Sequence, residues 1–249
     1  MLRIIISPAK KMHDEDTLPW EDLPQFLPQA GQLLDHLRAL PPAELRRLLA
    51  CNEEIAARSY RCFQQMDLGR GLSPALLCYD GIQYRYMAPQ VFETAQLAYV
   101  QRHLFILSGF YGALRPLDGV TPYRLEMQAK LNAPFAKTLY DFWGDALARA
   151  VWRPGDTLLD LASEEYSRAV APQLPAEARR VRCRFAQEAG GRLVEKGVYV
   201  KMARGAMVRW MAERGVEQAE DVRAFDGLGY RYQPALSTEA VYVFLQETA

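Results

Sequence analysis

The stretch Leu107–Lys130, LSGFYGALRPLDGVTPYRLEMQAK, decides how this chain is read. An apolar run, His103-Leu-Phe-Ile-Leu107, stops at Ser108-Gly109, the mark of a buried strand delivering a turn. Gly109 and Gly112 then bracket Phe110 and Tyr111. Glycines at that spacing let backbone N–H groups face a ligand with no Cβ in the way. A helix starting at Ala113 would aim its positive end at the same point. With Arg115, Arg124 and Lys130 following, the turn reads as a phosphate-contacting element; the competing reading is a strand-to-helix turn that serves packing alone.

Working outward, Leu2-Arg-Ile-Ile-Ile6 is a buried strand ended by Pro8, and Thr157–Leu161 is another. Apolar spacing predicts helices over Ala30–Leu40 and Ala43–Gln65, parted by Pro41-Pro42. Ala75–Tyr79 reads as a buried strand and Phe135–Val151 as a helix. Val181–Gln187 and Arg192–Val200 flank Ala189-Gly190-Gly191 as a hairpin. Ala203–Arg214 reads as a helix, and Tyr230–Tyr232 with Val241–Leu245 as a closing strand pair. Strands and helices interleave without repeat or long linker, so residues 1–249 are expected to form one α/β domain with a mixed β-sheet flanked by helices.

Six motifs occur in order: Ile5-Ile6-Ser7-Pro8-Ala9-Lys10, Leu107 to Asp118, Pro122-Tyr-Arg-Leu-Glu-Met127, Leu139-Tyr-Asp-Phe-Trp-Gly-Asp145, Leu161-Ala-Ser-Glu-Glu-Tyr166 and Lys201-Met-Ala-Arg-Gly205. Together they resemble the YaaA family of bacterial peroxide-stress proteins over nearly the whole chain. The resemblance implies a cytoplasmic protein with a positively charged cleft and a helix-hairpin-helix-like element. It implies binding to double-stranded or branched DNA, and a part in limiting iron-dependent damage by hydrogen peroxide. No catalytic activity follows from it. The chain departs from the family pattern at Met202, which stands where a further cation is expected.

Charge sets a limit on that expectation. Thirty basic and thirty acidic residues cancel, with a pI near 6.8, so DNA binding would need a local patch. Between Asp14 and Glu54 the net charge is −6, and between Arg179 and Arg209 nine bases face Glu188 and Glu195 for a net of +7. An excess of that size neutralises several phosphates unless counter-charges from elsewhere meet it in space. The four cysteines and three histidines have no metal-ligand spacing, so neither metal nor cofactor is expected, and the cysteines read as reduced. The Leu2–Ile6 run is too short for a signal peptide.

The expected DNA-binding surface combines Gly109, Gly112, Arg115 and Arg124 with the Lys10–Lys11 loop and with Lys201, Arg204 and Arg209. A monomer is favoured. The alternative is an enzyme acting on nucleotides or DNA bases in the same cleft, with Lys10, Asp118, Glu126 and Glu165 as its candidates. Open sheets bind ligands beyond their strand ends, which favours a site near Lys10. Ser7-Pro-Ala-Lys10 has the S-x-x-K spacing of acyl-transfer enzymes, but the companion S-D-N and K-T-G elements are missing. Ser163 reads as a helix cap whose helix could carry Glu165 and Tyr166 into the cleft with Lys10.

Overall fold

A computed structural model describes residues 1–247. The strands are β1 (Leu2–Ile6), β2 (Leu104–Ser108), β3 (Gly112–Leu114), β4 (Thr157–Asp160), β5 (Arg179–Ala189), β6 (Arg192–Val194), β7 (Tyr230–Tyr232) and β8 (Val241–Gln246). They form one mixed sheet in the order β7-β8-β5-β4-β1-β2-β3, with β6 paired to the end of β5. The central strands β8, β5, β4, β1 and β2 run parallel, and the edge pairs β7–β8 and β2–β3 are antiparallel. β1, β2 and β4 are short apolar runs with almost every residue buried, as strands covered on both faces must be. The chain leaves β1 toward β2 on one side and returns to β4 on the other. The order therefore reverses at β1 and β4, and a crevice opens beyond their carboxyl ends.

The covering helices are α1 (Leu27–Ala39), α2 (Pro42–Leu49), α3 (Glu53–Gln65), α4 (Ile82–Met87), α5 (Thr94–His103), α6 (Leu139–Trp143), α7 (Ala146–Val151) and α8 (Gly197–Arg214). A single hydrophobic core runs from Leu2 to Phe244. Several expectations need correcting. The helix expected over Ala43–Gln65 breaks at Ala50, whose left-handed φ of 45° caps α2, and Asn52 Oδ1 then accepts the Ile55 N–H at 2.9 Å to start α3. The helix expected over Phe135–Val151 starts at Leu139, where Thr138 and Asp141 form a capping box, and breaks between Trp143 and Ala146. Ala75–Cys78, expected as strand, is one buried helical turn between two two-residue bridges, an ambiguity that a short apolar run carries. Val198–Val200, expected as strand, belongs to α8.

The largest correction concerns the glycine turn. Gly112 begins β3 rather than leading into a helix, so the segment is a β-hairpin and the helix-hairpin-helix expected here is absent from it. The N–H groups of Phe110 and Tyr111 donate to Ser108 Oγ at 3.1 and 2.8 Å, and both rings are buried. Donors assigned to a phosphate are therefore spent inside the turn. The glycines answer to packing: a Cβ at Gly109 would lie 2.6 Å from the Leu125 carbonyl oxygen, and one at Gly112 2.8 Å from the Phe26 ring.

Helix α8 packs backbone to backbone on α4 at Gly205. A Cβ on Gly205 would overlap the Gln83 carbonyl oxygen on α4 and lie 3.0 Å from the Met87 nitrogen. Backbone cannot swing aside as a side chain can, so Gly205→Ala is expected to cost stability by about 1–3 kcal/mol, near the upper end of that range. Gly31→Ala in α1, where nothing lies within 4 Å, should be neutral or stabilising. Urea unfolding of the two variants checks the pair; equal midpoints would contradict the packing assigned to Gly205.

Candidate functional site

A cavity of about 420 Å³ lies beyond the ends of β1 and β4. Its wall is built from the loop after β1 (Ser7–Lys11), the start of α4 (Gly81–Tyr84), the Tyr123–Glu126 segment, the turn after β4 (Ser163, Glu165, Tyr166) and α8 (Lys201, Arg204). Five segments distant in sequence thus converge on one crevice. Its size falls within the range of roughly 300–1,000 Å³ usual for small-ligand sites.

The loops are tied together before any ligand arrives. Ser7 Oγ donates to Ser163 Oγ at 3.0 Å and accepts the Ser163 N–H at 2.8 Å, joining the exit of β1 to that of β4. Ser7 is thereby engaged with Ser163, while Lys10 Nζ pairs with Glu126 Oε2 at 2.6 Å, so the S-x-x-K pair is not assembled. Tyr84 donates to the Ser7 carbonyl at 3.1 Å, and Tyr123 shares hydrogen bonds with Tyr79 and Ser108. Burial pushes the Tyr79, Tyr84, Tyr123 and Tyr166 hydroxyls well above the usual phenol range, so these four phenols are neutral at physiological pH.

One side of the cavity is a charge cluster. Glu126 accepts from Arg124 at 2.9 Å as well as pairing with Lys10, so two cations share it. Gln128 donates its N–H to Glu165 Oε1 at 3.2 Å. Burial pushes the Glu165 carboxyl above the usual carboxylate range; Glu126 adds to the rise, while the Gln128 N–H and Lys10 oppose it. A partly buried carboxyl raised by a like charge can hold or release a proton nearer neutral pH than an exposed one.

The other side has donors without acceptors. Arg204 is only 7% exposed and Gln83 6%, and neither Arg204 Nε nor Gln83 Nε2 has a hydrogen-bond partner. Burial lowers the Arg204 pKa from the usual guanidinium value, with Asp160 pulling against that from a distance. Asp160 is not free to pair with it: Arg180 binds one carboxylate oxygen, the Ser167 hydroxyl joins it there, and the Ala162 N–H takes the other. A buried donor left unmatched costs about 1–3 kcal/mol and calls for an explanation, of which a ligand is one; Arg115 Nε and Trp210 Nε1, away from the cavity, are unmatched too. Arg124 Nε, on the same cavity, is a third such donor.

Of the residues expected from sequence, Lys10, Lys11, Arg124, Glu126, Glu165, Lys201 and Arg204 meet at this cavity. The others do not line it. Gly109 and Gly112 lie in the buried hairpin, where Gly109 lets the Leu125–Met127 backbone pack close and so helps carry Arg124 and Glu126 into place. Arg115 stacks on the Phe105 ring at 4.9 Å, Arg209 pairs with Glu213 at 2.7 Å, and Asp118 accepts the Arg115 N–H at 2.8 Å. Counter-charges also meet much of the basic segment: Arg179, Arg180, Arg182 and Arg184 pair with Glu220, Asp160, Glu164 and Glu195. Sequence reasoning missed Gln83, which sits in Gly81-Ile82-Gln83-Tyr84, a run with no recognised motif. Among the described residues no group of three or more His, Cys, Asp or Glu side chains is placed to share a metal ion, and no helix is long and apolar enough to cross a membrane.

Asp118 carries a separate, testable property. Burial pushes its carboxyl up to about 7, against the pull of the Arg115 N–H and guanidinium. A folded pKa above the unfolded value means that the native state binds the extra proton. Its contribution is complete below the unfolded pKa and is lost as pH rises through the folded one, at up to about 1.4 kcal/mol per pH unit. Asp118→Asn should therefore gain stability relative to the parent protein as pH rises from about 5 to about 8. Urea unfolding across that window checks it, and parallel pH profiles would contradict it.

The likeness to known proteins runs along nearly the whole chain. A family model described as peroxide stress protein YaaA matches residues 2–236. A UPF0246 protein of Desulfitobacterium hafniense is 51% identical over 249 residues, covering 100% of this chain and 99% of the relative. One from Agathobacter rectalis is 45% identical over the full length of both chains, and one from Lachnoclostridium phytofermentans is 47% identical over 98% of this chain and 96% of its own. A match along almost the entire chain places the converging segments of the cavity inside the shared region, and the chain belongs to the peroxide stress protein YaaA (UPF0246) family.

Proposed function

We propose that this protein serves the peroxide-stress response by binding DNA, double-stranded or branched, at the cavity beyond β1 and β4, and that it thereby helps limit iron-dependent oxidative damage. The observation that carries the reading is a cavity lined by cations, with Lys10, Lys11 and Lys201 exposed and Arg124 and Arg204 more buried in its wall. Five cations stand there against Asp80, Glu126 and Glu165, and Glu126 is shared by two of them. Such a crevice attracts a polyanion although the whole chain is neutral. Lys10 and Lys11 are exposed on it and suit backbone phosphates, which supply affinity without sequence preference.

A second reading, an enzyme acting on nucleotides or DNA bases, is favoured by Glu165. Its raised carboxyl lies in the same cavity as Lys10 and the Tyr123 and Tyr166 rings, where an unpaired base would have polar groups beside it. In that reading Lys10 gives a proton to Glu165 and attacks C1′ of the sugar, the glycosidic bond breaks, and the base leaves with the proton from Glu165.

Fluorescence anisotropy with duplex and branched DNA tests the first reading. Affinity is expected to fall steeply with salt, and Lys11→Ala should weaken binding of every sequence alike while reducing the salt slope by about 1. Absence of binding at low salt would overturn it. Borohydride trapping on abasic DNA separates the second: an adduct lost in Lys10→Arg would establish covalent chemistry, and none is expected if the cavity only binds.

A further inference from the structure

The two sides of the cavity ask for different things. Around Glu126 and Glu165, charges already have partners in Lys10, Arg124 and the Gln128 N–H. Asp80, the remaining carboxylate of the wall, is held by Arg85 at 2.9 Å. Along α8 and α4 the demand is unmet: Arg204 and Gln83 are more than nine-tenths buried, line the cavity, and have donor nitrogens with no acceptor. Lys201, one helical turn before Arg204, adds an exposed ammonium to the same stretch of wall. Between α8 and α4 this wall has no gap, because Gly205 lets the α8 backbone rest on the Gln83 and Met87 backbone with no room for a Cβ.

That closure selects the ligand. A phosphodiester within a chain has sugar on both sides and must enter and leave its site. A strand crossing the mouth can reach the exposed lysines but not a group as buried as Arg204. A terminal phosphate monoester has sugar on one side only, so it can enter a closed end. It also offers three acceptor oxygens and a charge between −1.5 and −2 near pH 7. A guanidinium, an amide and an ammonium share this stretch of wall, three donor-bearing side chains to set against three oxygens. We propose that Gln83, Lys201 and Arg204 form a subsite for a terminal phosphate monoester, carried by a DNA end or by a free nucleotide. The proposal rests on the nucleic-acid reading above and narrows it to the terminus.

The test uses one internally labelled duplex with a phosphate at the 5′ end, at the 3′ end, or at neither, alongside 2′-deoxyadenosine 5′-monophosphate and deoxyadenosine. At least one phosphorylated duplex should bind roughly tenfold more tightly than the hydroxyl-ended one, as a charge-assisted set of hydrogen bonds would give. Arg204→Met, Gln83→Leu and Lys201→Ala should each reduce that ratio, whereas Lys10→Ala should weaken all three duplexes and keep it. Should Arg204→Met fail to fold, the exposed Lys201→Ala decides. Equal affinity for the three duplexes overturns the subsite while leaving DNA binding intact. If no duplex binds, the DNA reading fails and the mononucleotide decides. Binding of the monophosphate but not the nucleoside, weakened by Lys201→Ala, upholds the subsite with free nucleotide as its source. No binding of either sinks the subsite as well.

Discussion

Helix α8 rests on α4 because residue 205 has no Cβ, and that contact fixes much of what lies around it. With any other residue, the Gln83 carbonyl and the middle of α8 would have to part. Their closeness puts Lys201 and Arg204 on the same wall as Gln83, across the crevice from the loops that leave β1 and β4. The Ser7–Ser163 hydrogen bonds hold those loops to each other, and Tyr84 links α4 to the Ser7 carbonyl. The cavity is therefore preorganised, and a ligand entering it would not have to bring these five segments together.

Desolvation then divides the chemistry. On one side it raises Glu165, and Lys10 and the Gln128 N–H partly restore the charged form. On the other it acts against Arg204, whose carboxylate neighbour Asp160 is already taken by Arg180, the Ser167 hydroxyl and the Ala162 N–H. Removing a charge from water without a local partner is among the costlier arrangements a fold can hold. A core running from Leu2 to Phe244 tolerates it, and an anion entering the cavity would relieve it.

The sheet was largely legible in the sequence, and the site in part. Leu2–Ile6, Leu104–Leu107 and Thr157–Leu161 are apolar, partly β-branched runs bounded by turn residues, which is how buried parallel strands read. Because ligands gather beyond such strand ends, Lys10 and Glu165 could be placed together before any coordinates. The Gly109–Gly112 turn misled, since the same glycine spacing serves a ligand or close packing, and only the fold reveals that Ser108 takes the two N–H groups. The basic segment misled for another reason. Its counter-charges Asp160, Glu164 and Glu220 lie outside it in sequence and meet it only in the folded chain. Gln83 had no signal at all, because its meaning comes from a missing acceptor, a property of three dimensions.

The central claim is that Arg204 is kept for a ligand at some cost to the fold. Equilibrium urea unfolding of the parent protein and of Arg204→Met, in buffer free of phosphate and nucleic acid, tests it most directly. If the charge waits for an anion, removing it should leave the empty protein as stable as before or up to about 1–4 kcal/mol more stable, as when buried charges give way to apolar groups of similar volume. A loss of several kcal/mol in the Met variant would mean that the guanidinium serves the fold itself, and would contradict the account.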